Sequence, residues 1–340
     1  MSWLATTWFV LFVVIVAGYV ILDGFDLGVG MLSPFVARSD HDRRVLLNSI
    51  GPVWDGNEVW LVLAGGALFA AFPLVYAALF SGFYSAMMLV LLVLILRTVA
   101  IEFRSKRHSQ RWRNTWDWFF FASSLGITLL LGVALGNVVR GVAIDEAGNM
   151  TVDLVELLNP YSLLIGITAV AMLCLHGAIF LTQKVEGELL AKVKRLIPRL
   201  GVTFFVLATA AVLATLQVDS EMVDTFRDRP WTVVFPIGAL LATLVAWRLV
   251  EATWYLAGFL ASATTIALLL ASVAAGLYPV MLPSSIDRAY DLTVHNAASA
   301  DNTLQVMFVI ALIGMPFVLL YTAGIYYFFR GKVEIDQDSY

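Results

Sequence analysis

Nine apolar runs follow one another along the 340 residues, most of them about 20 residues long. A helix rising about 1.5 Å per residue needs that length to cross the roughly 30 Å hydrocarbon core of a bilayer. Strands of a membrane barrel would instead alternate over about ten residues. The runs lie near 4–30, 52–73, 76–98, 116–137, 161–183, 200–217, 231–248, 254–279 and 304–329. They predict an all-α integral membrane protein: one polytopic domain over residues 1–340 with nine transmembrane helices. The first run lacks a basic leader and reads as a spanning helix rather than a cleaved signal. In the seventh, Pro236 bends the helix or marks its first turn. Composition agrees, with 60% hydrophobic and 14% charged residues, where a soluble domain carries about a quarter charged. The single cysteine, Cys174, excludes an internal disulfide, a Cys-rich metal site and an iron–sulfur cluster. Nothing points to nucleic acid.

Basic residues set the sides. Of 21 Lys and Arg, 17 fall in the segments after odd-numbered runs and at the C-terminus; the other four are Arg140, Arg227, Arg229 and Arg288. By the positive-inside rule the N-terminus lies outside and the C-terminus in the cytoplasm.

The second run is the exception in length. Its apolar part, Val59 to Phe72, has 14 residues, about 21 Å of helix. To span, the helix must start near Pro52, whose missing N–H costs nothing in a first turn. That start takes Asp55 and Glu58 into the membrane, three residues apart on one face, with Trp54 beside Glu58 at i, i+4. Ionisable groups at such depth face a protein interior or a wet cavity. The first run ends in ILDGFDLGVGML, placing Asp23 and Asp26 at its cytoplasmic end, and the third ends there with Arg97 and Glu102. Five carboxylates on three consecutive helices thus gather at one face. Asp23, Asp26 and Glu102 can be read as interfacial residues paired with Arg43, Arg44 or Arg97. The alternative is a hydrophilic entrance that takes protons from the cytoplasm, where desolvated carboxyls relay them.

Other motifs read as structural. His176 is the one intramembrane histidine, and beside Cys174 it suits a polar helix–helix contact better than a haem axial ligand. Gly24-x-x-x-Gly28, Gly132-x-x-x-Gly136 and Gly65-Gly66 permit close helix approach. Arg111 to Trp118, RWRNTWDW, joins inside-positive charge to an aromatic belt, and Asp117 suits the positive end of the fourth helix. There is no P-loop, dinucleotide glycine motif or serine-nucleophile elbow.

The segments DGFDLGVGML, NSIGPVWDGNEVWLVLAGGALFAAFPLVYAALFSGFY, RSK…RWRNTWDW and YPVMLPSS resemble subunit II of the cytochrome bd-type quinol oxidases, a family that includes a cyanide-insensitive branch. The resemblance runs essentially end to end. It implies nine helices arranged as two four-helix bundles plus one peripheral helix, and an obligate heterodimer with subunit I, packed with pseudo-two-fold symmetry. It further implies that subunit I ligates the haem b and haem d groups and oxidises quinol on the outer side, with oxygen reduced to water. A bound quinone, membrane lipids and a small accessory subunit are compatible with it. Protons for water enter from the cytoplasm near the subunit interface; the matching positions are Trp54, Asp55 and Glu102, with Asp23 and Asp26 nearby. The expected proton path is therefore Asp55, Glu58, Glu102, Asp23 and Asp26, supported by Trp54, Asn57 and Arg97, with Asp55 the essential acid and no metal ligand in this chain. The expected location is a bacterial cytoplasmic membrane. A purely structural subunit and a proton-coupled secondary transporter are the rival readings; the latter calls for broken helices near the midplane in two related halves.

Overall fold

The structure, a computed structural model, describes residues 3–150, 152–218 and 221–335. Its longest helices are α1 (Trp3–Val36), α3 (Trp54–Ala71), α5 (Tyr84–Phe103), α6 (Gln110–Arg140), α8 (Pro160–Lys184), α9 (Gly187–Thr215), α11 (Val234–Glu251), α12 (Tyr255–Leu277) and α13 (Asp301–Phe328). Shorter helices intervene: α2 (Asp40–Ile50), α4 (Pro73–Gly82), α7 (Leu154–Leu157) and α10 (Glu221–Asp228). Among the described residues eight helices, all the long ones except α3, have the length and apolarity to cross a membrane. The ninth expected span, α3, misses because its 18 residues begin with WDGNE. Those residues are still about 27 Å of helix, so α3 reaches across only if its acidic start is counted.

Local chemistry explains several boundaries that the apolar runs placed otherwise. Residues 51–53 form a turn, so α3 starts at Trp54 rather than Pro52. Phe72 leaves helical geometry at φ −135°, ψ 65°, and Pro73 then opens α4 from its first turn. Phe83 breaks the chain again before α5. The expected spans 52–73 and 76–98 are thus three pieces, of which α4 is too short to cross alone. Pro236 lies in the first turn of α11. Helix α9 begins 13 residues before the expected run because its start, GELLAKVKRLIPR, is amphipathic rather than apolar.

Helix contacts sort the long elements into two groups. In one, α1 packs on α3 and α6, and α6 on α5; in the other, α8 packs on α9 and α12, and α12 on α11. The groups meet where α8 lies against α1 and α6. At the α1–α8 crossing Gly28 and Gly177 bring the backbones together: a Cβ on Gly177 would stand 2.7 Å from the Gly28 carbonyl carbon. Gly132 and Gly136 likewise press against Gly166 and Ser162 of α8. Gly65 and Gly66 do not pack in this way; nothing in the chain lies within 4 Å of a Cβ at either. Helix α13 touches only α1 and α3 substantially, and Leu304 is its one buried residue.

Two apolar cores stack along the helices. One, around Phe25, Ile50, Trp54, Ile101 and Phe204, fills the end that carries α2. The other, around Trp8, Trp60, Phe72, Phe83 and Leu282, fills the opposite end. There β1 (Val280–Leu282) and β2 (Leu292–Thr293) form a short antiparallel hairpin, and Val142 bridges to Ser284.

Candidate functional site

At the α2 end, four helices converge on a buried polar cluster. Helix α1 supplies Asp23 and Asp26, three residues apart and both 0% exposed. Helix α5 supplies Arg97, also 0% exposed. Its two terminal nitrogens donate to the two oxygens of Asp23 at 2.9 and 2.6 Å. This fork-to-fork geometry is the strongest an ion pair offers, and burial without it would be prohibitive. Of the pairings open to Asp23, Arg97 is the one made.

Asp26 has a different partner. Asn57 of α3 donates from Nδ2 to Asp26 Oδ2 at 2.7 Å and to the Leu22 carbonyl at 3.2 Å. The Tyr326 hydroxyl of α13 donates in turn to Asn57 Oδ1 at 2.9 Å. Asp26 Oδ1 and Arg97 Nε are buried without a protein hydrogen-bond partner. Tyr19 stands one turn before Asp23 on α1 and is buried beside it. Glu58, half-buried, faces the charges of Arg97, Asp23 and Asp55. The cluster therefore sets three carboxyls, Asp23, Asp26 and Glu58, around one cation.

Asp55 and Glu58 do not share an environment as their spacing predicts. Asp55 is exposed on this chain because α3 starts at Trp54 and puts it in the first turn, where an acid suits the positive helix end. It lines a cavity of about 550 Å³ between α3 and α13, together with Asn57, Trp60, Tyr321 and Tyr326. One turn further in, Glu58 points to the cluster. Trp54 is buried in the apolar core. Glu102 is half-buried on α5, five residues beyond Arg97. Tyr326 is the participant that the sequence conceals: within IYYFF it looks like one more interfacial aromatic, and only the fold brings α13 against Asn57.

A second, more superficial network ties the same end together. Arg104 donates to Asp117 at 2.6 Å and to Asp40 at 2.8 Å; Arg113 donates to Asp40 and Arg43 to Asp117. Asp117 thus serves two arginines rather than a helix end, and Arg43 is not a partner of the buried acids. Burial alone would raise the Asp40 carboxyl, but the hydrogen bond from Arg104 and the charges of Arg104, Arg113 and Arg44 outweigh it and hold the group below its usual value.

His176 has both ring nitrogens engaged, at 2.7 Å to the Ser262 hydroxyl and 3.0 Å to the Ile21 carbonyl. The carbonyl only accepts, so Nε2 carries the proton, while the Ser262 hydroxyl lies between Nδ1 and the Phe259 carbonyl at 2.8 Å. The ring also stacks on Phe259 at 4.8 Å. Both ring nitrogens thus face protein oxygens on neighbouring helices, a polar helix–helix contact. The described residues contain no group of three His, Cys, Asp or Glu able to hold a metal ion.

Comparison with known proteins gives one answer. Residues 4–329 match the family described as cytochrome bd terminal oxidase subunit II. The cytochrome bd-I ubiquinol oxidase subunit 2 of Escherichia coli K12 is 38% identical, with 98% of this chain and 97% of that protein covered. The cytochrome bd ubiquinol oxidase subunit 2 of Bacillus subtilis is also 38% identical, over 98% of each. In fold, the chain is similar to a solved chain of the bd oxidase from Geobacillus thermodenitrificans, with TM-score 0.79 at 18% identity over 96% of this chain and 99% of that one. The chain belongs to the subunit II family of the cytochrome bd terminal oxidases, and its place is in an oxidoreductase complex of the membrane.

Proposed function

We propose that this chain works beside a haem-bearing subunit I in quinol oxidation coupled to oxygen reduction, and that it carries part of the path by which protons enter. The relatives' names supply the reaction: two of them are ubiquinol oxidase subunits. Haem b and haem d are assigned to the partner, since the buried histidine here is fully occupied by Ser262 and Ile21. The chain supports assembly of subunit I, and its N-terminus lies outside with the basic end in the cytoplasm. Taking protons from inside while quinol releases them outside makes the reaction electrogenic.

One observation carries the proton path: three buried or half-buried carboxyls surround a single arginine. An uncompensated carboxylate in a low-dielectric interior is costly, so proton occupancy balances the cluster. Asp55, at the mouth of the α3–α13 cavity, is the acid that meets water first. Glu58 and then the Asp23–Asp26 pair lie deeper, and Glu102 flanks the same end.

The test is Asp55→Asn in the assembled enzyme with its haem complement verified by absorbance. Quinol oxidase turnover should fall by about tenfold or more, within the range a positioned proton-transfer group supplies. Full turnover in that variant rejects the path and leaves this chain a scaffold.

A further inference from the structure

The hydrogen bonds around Asn57 decide where Asp26 can carry a proton. The side-chain amide has three neighbours: the Leu22 carbonyl at 3.2 Å, Asp26 Oδ2 at 2.7 Å and the Tyr326 hydroxyl at 2.9 Å. A backbone carbonyl accepts and never donates, so the amide nitrogen must face Leu22. That same nitrogen then donates its other hydrogen to Asp26 Oδ2. Asn57 Oδ1 is left facing Tyr326, which can satisfy it only by donating. All three contacts agree on one orientation, with Asn57 itself 2% exposed.

The hydroxyl oxygen of a protonated carboxyl is a poor acceptor, so the oxygen that receives the Asn57 N–H at 2.7 Å is its carbonyl oxygen. The other oxygen, Asp26 Oδ1, is buried and has no protein partner. We propose that Asn57, fixed by Tyr326, is a positioning residue that confines the exchangeable proton of Asp26 to Oδ1. This inference rests on the proton-entry reading above and extends it to Tyr326, which that reading does not use. The amide is not itself a carrier, because passing a proton through it requires its imidic tautomer. Protonation forms one O–H bond at Oδ1 and release breaks it; Asp26 Oδ2 remains a hydrogen-bond acceptor throughout. Tyr326 belongs to α13, the least buried of the long helices, and it lines the same cavity as Asp55. The proton state of Asp26 is in this way tied to the seating of a peripheral helix.

Charged and titratable groups face Asp26 from several helices. Asp23 lies on its own helix, Glu58 on α3, Arg97 on α5 and Tyr326 on α13. From α8, His176 bonds the Ile21 carbonyl five residues earlier. Any pH dependence must be judged against that set, so the decisive readout is a vibration assignable to one carboxyl.

The experiment is infrared difference spectroscopy of the assembled, haem-replete oxidase, with Asp26→Asn identifying the protonated-carboxyl band of Asp26. In Asn57→Leu the C=O at Oδ2 loses its donor, so that band should move to higher frequency and the pH profile of turnover should shift. Tyr326→Phe removes one hydroxyl at the cavity edge, leaves the fold intact, and should broaden the same band as the amide loses its anchor. An unchanged band in both variants overturns the inference, and so does the absence of any Asp26 band in the parent enzyme. Full turnover in Asp26→Asn would count against the proton path itself, which separates failure of that reading from failure of this one.

Discussion

At the scale of residues, the Asp23–Arg97 pair shows how much of a buried site spacing can reveal. Two acids three apart on one run and an arginine at the matching level of another were visible as a group. Which acid takes the arginine was not, because the choice depends on helix rotation. The fold gives Asp23 both terminal nitrogens and gives Asp26 the amide of Asn57. Taking away one member of such a pair leaves a bare buried charge, a loss of about 3–5 kcal/mol, whereas replacing both by apolar side chains of similar volume is often neutral. Arg97→Met should therefore lower the thermal midpoint of the purified complex sharply, and Asp23→Leu combined with Arg97→Met should recover most of it. A double variant no more stable than the single one would show that the pair is not the partnership holding α1 to α5. The same scale shows the limit of helical spacing for Asp55 and Glu58. Three residues put them on one face in projection, yet the turn at 51–53 leaves Asp55 outside and Glu58 half inside.

At the scale of elements, the apolar runs located the long helices because a membrane span is the most redundant signal a chain can carry. Elements that owe their existence to capping and polar contacts escaped. Helix α2 sits in what the hydropathy pattern leaves as a loop. Its start is a capping box: Ser39 Oγ accepts from the Asp42 N–H at 3.0 Å, and the Asp42 carboxylate accepts from the Ser39 N–H at 3.4 Å. Ser39→Ala should cost about 1 kcal/mol of local stability. Asp40 adds a pH dependence whose sign follows from its environment. Its folded value lies below the 3.8 of the unstructured group, so the ionised form is favoured by folding. That contribution is complete above about pH 4 and disappears as acid carries the group through its lowered folded value. Amide protection factors in α2 should fall below that point, and Asp40→Asn should show the lower protection already at neutral pH. Equal protection in the variant and parent at neutral pH would remove Asp40 from the forces holding α2.

At the scale of the molecule, the seam between the two helix groups is the α1–α8 crossing, and the sequence marked only half of it. Gly24-x-x-x-Gly28 suggested a close approach without naming the partner helix, since small-residue motifs are frequent in membrane spans. Gly177, opposite Gly28, carried no motif at all. A Cβ at Gly177 would meet the Gly28 carbonyl carbon at 2.7 Å and the Val29 nitrogen at 2.8 Å. Those are backbone atoms, which cannot rotate away, so Gly177→Ala must push the helices apart. Overpacking of this kind costs about 1–3 kcal/mol, and here the displaced helix is the one bearing Asp23 and Asp26. Gly201→Ala on α9 supplies the contrast, because a Cβ there meets nothing within 4 Å and removing a helical glycine is mildly favourable. The purified complex with Gly177→Ala should therefore melt earlier and lose turnover, while Gly201→Ala should match or exceed the parent in midpoint. If the two variants behave alike, the groups are not joined at this crossing. The acidic cluster would then owe its geometry to contacts within the α1, α3, α5 and α6 group alone.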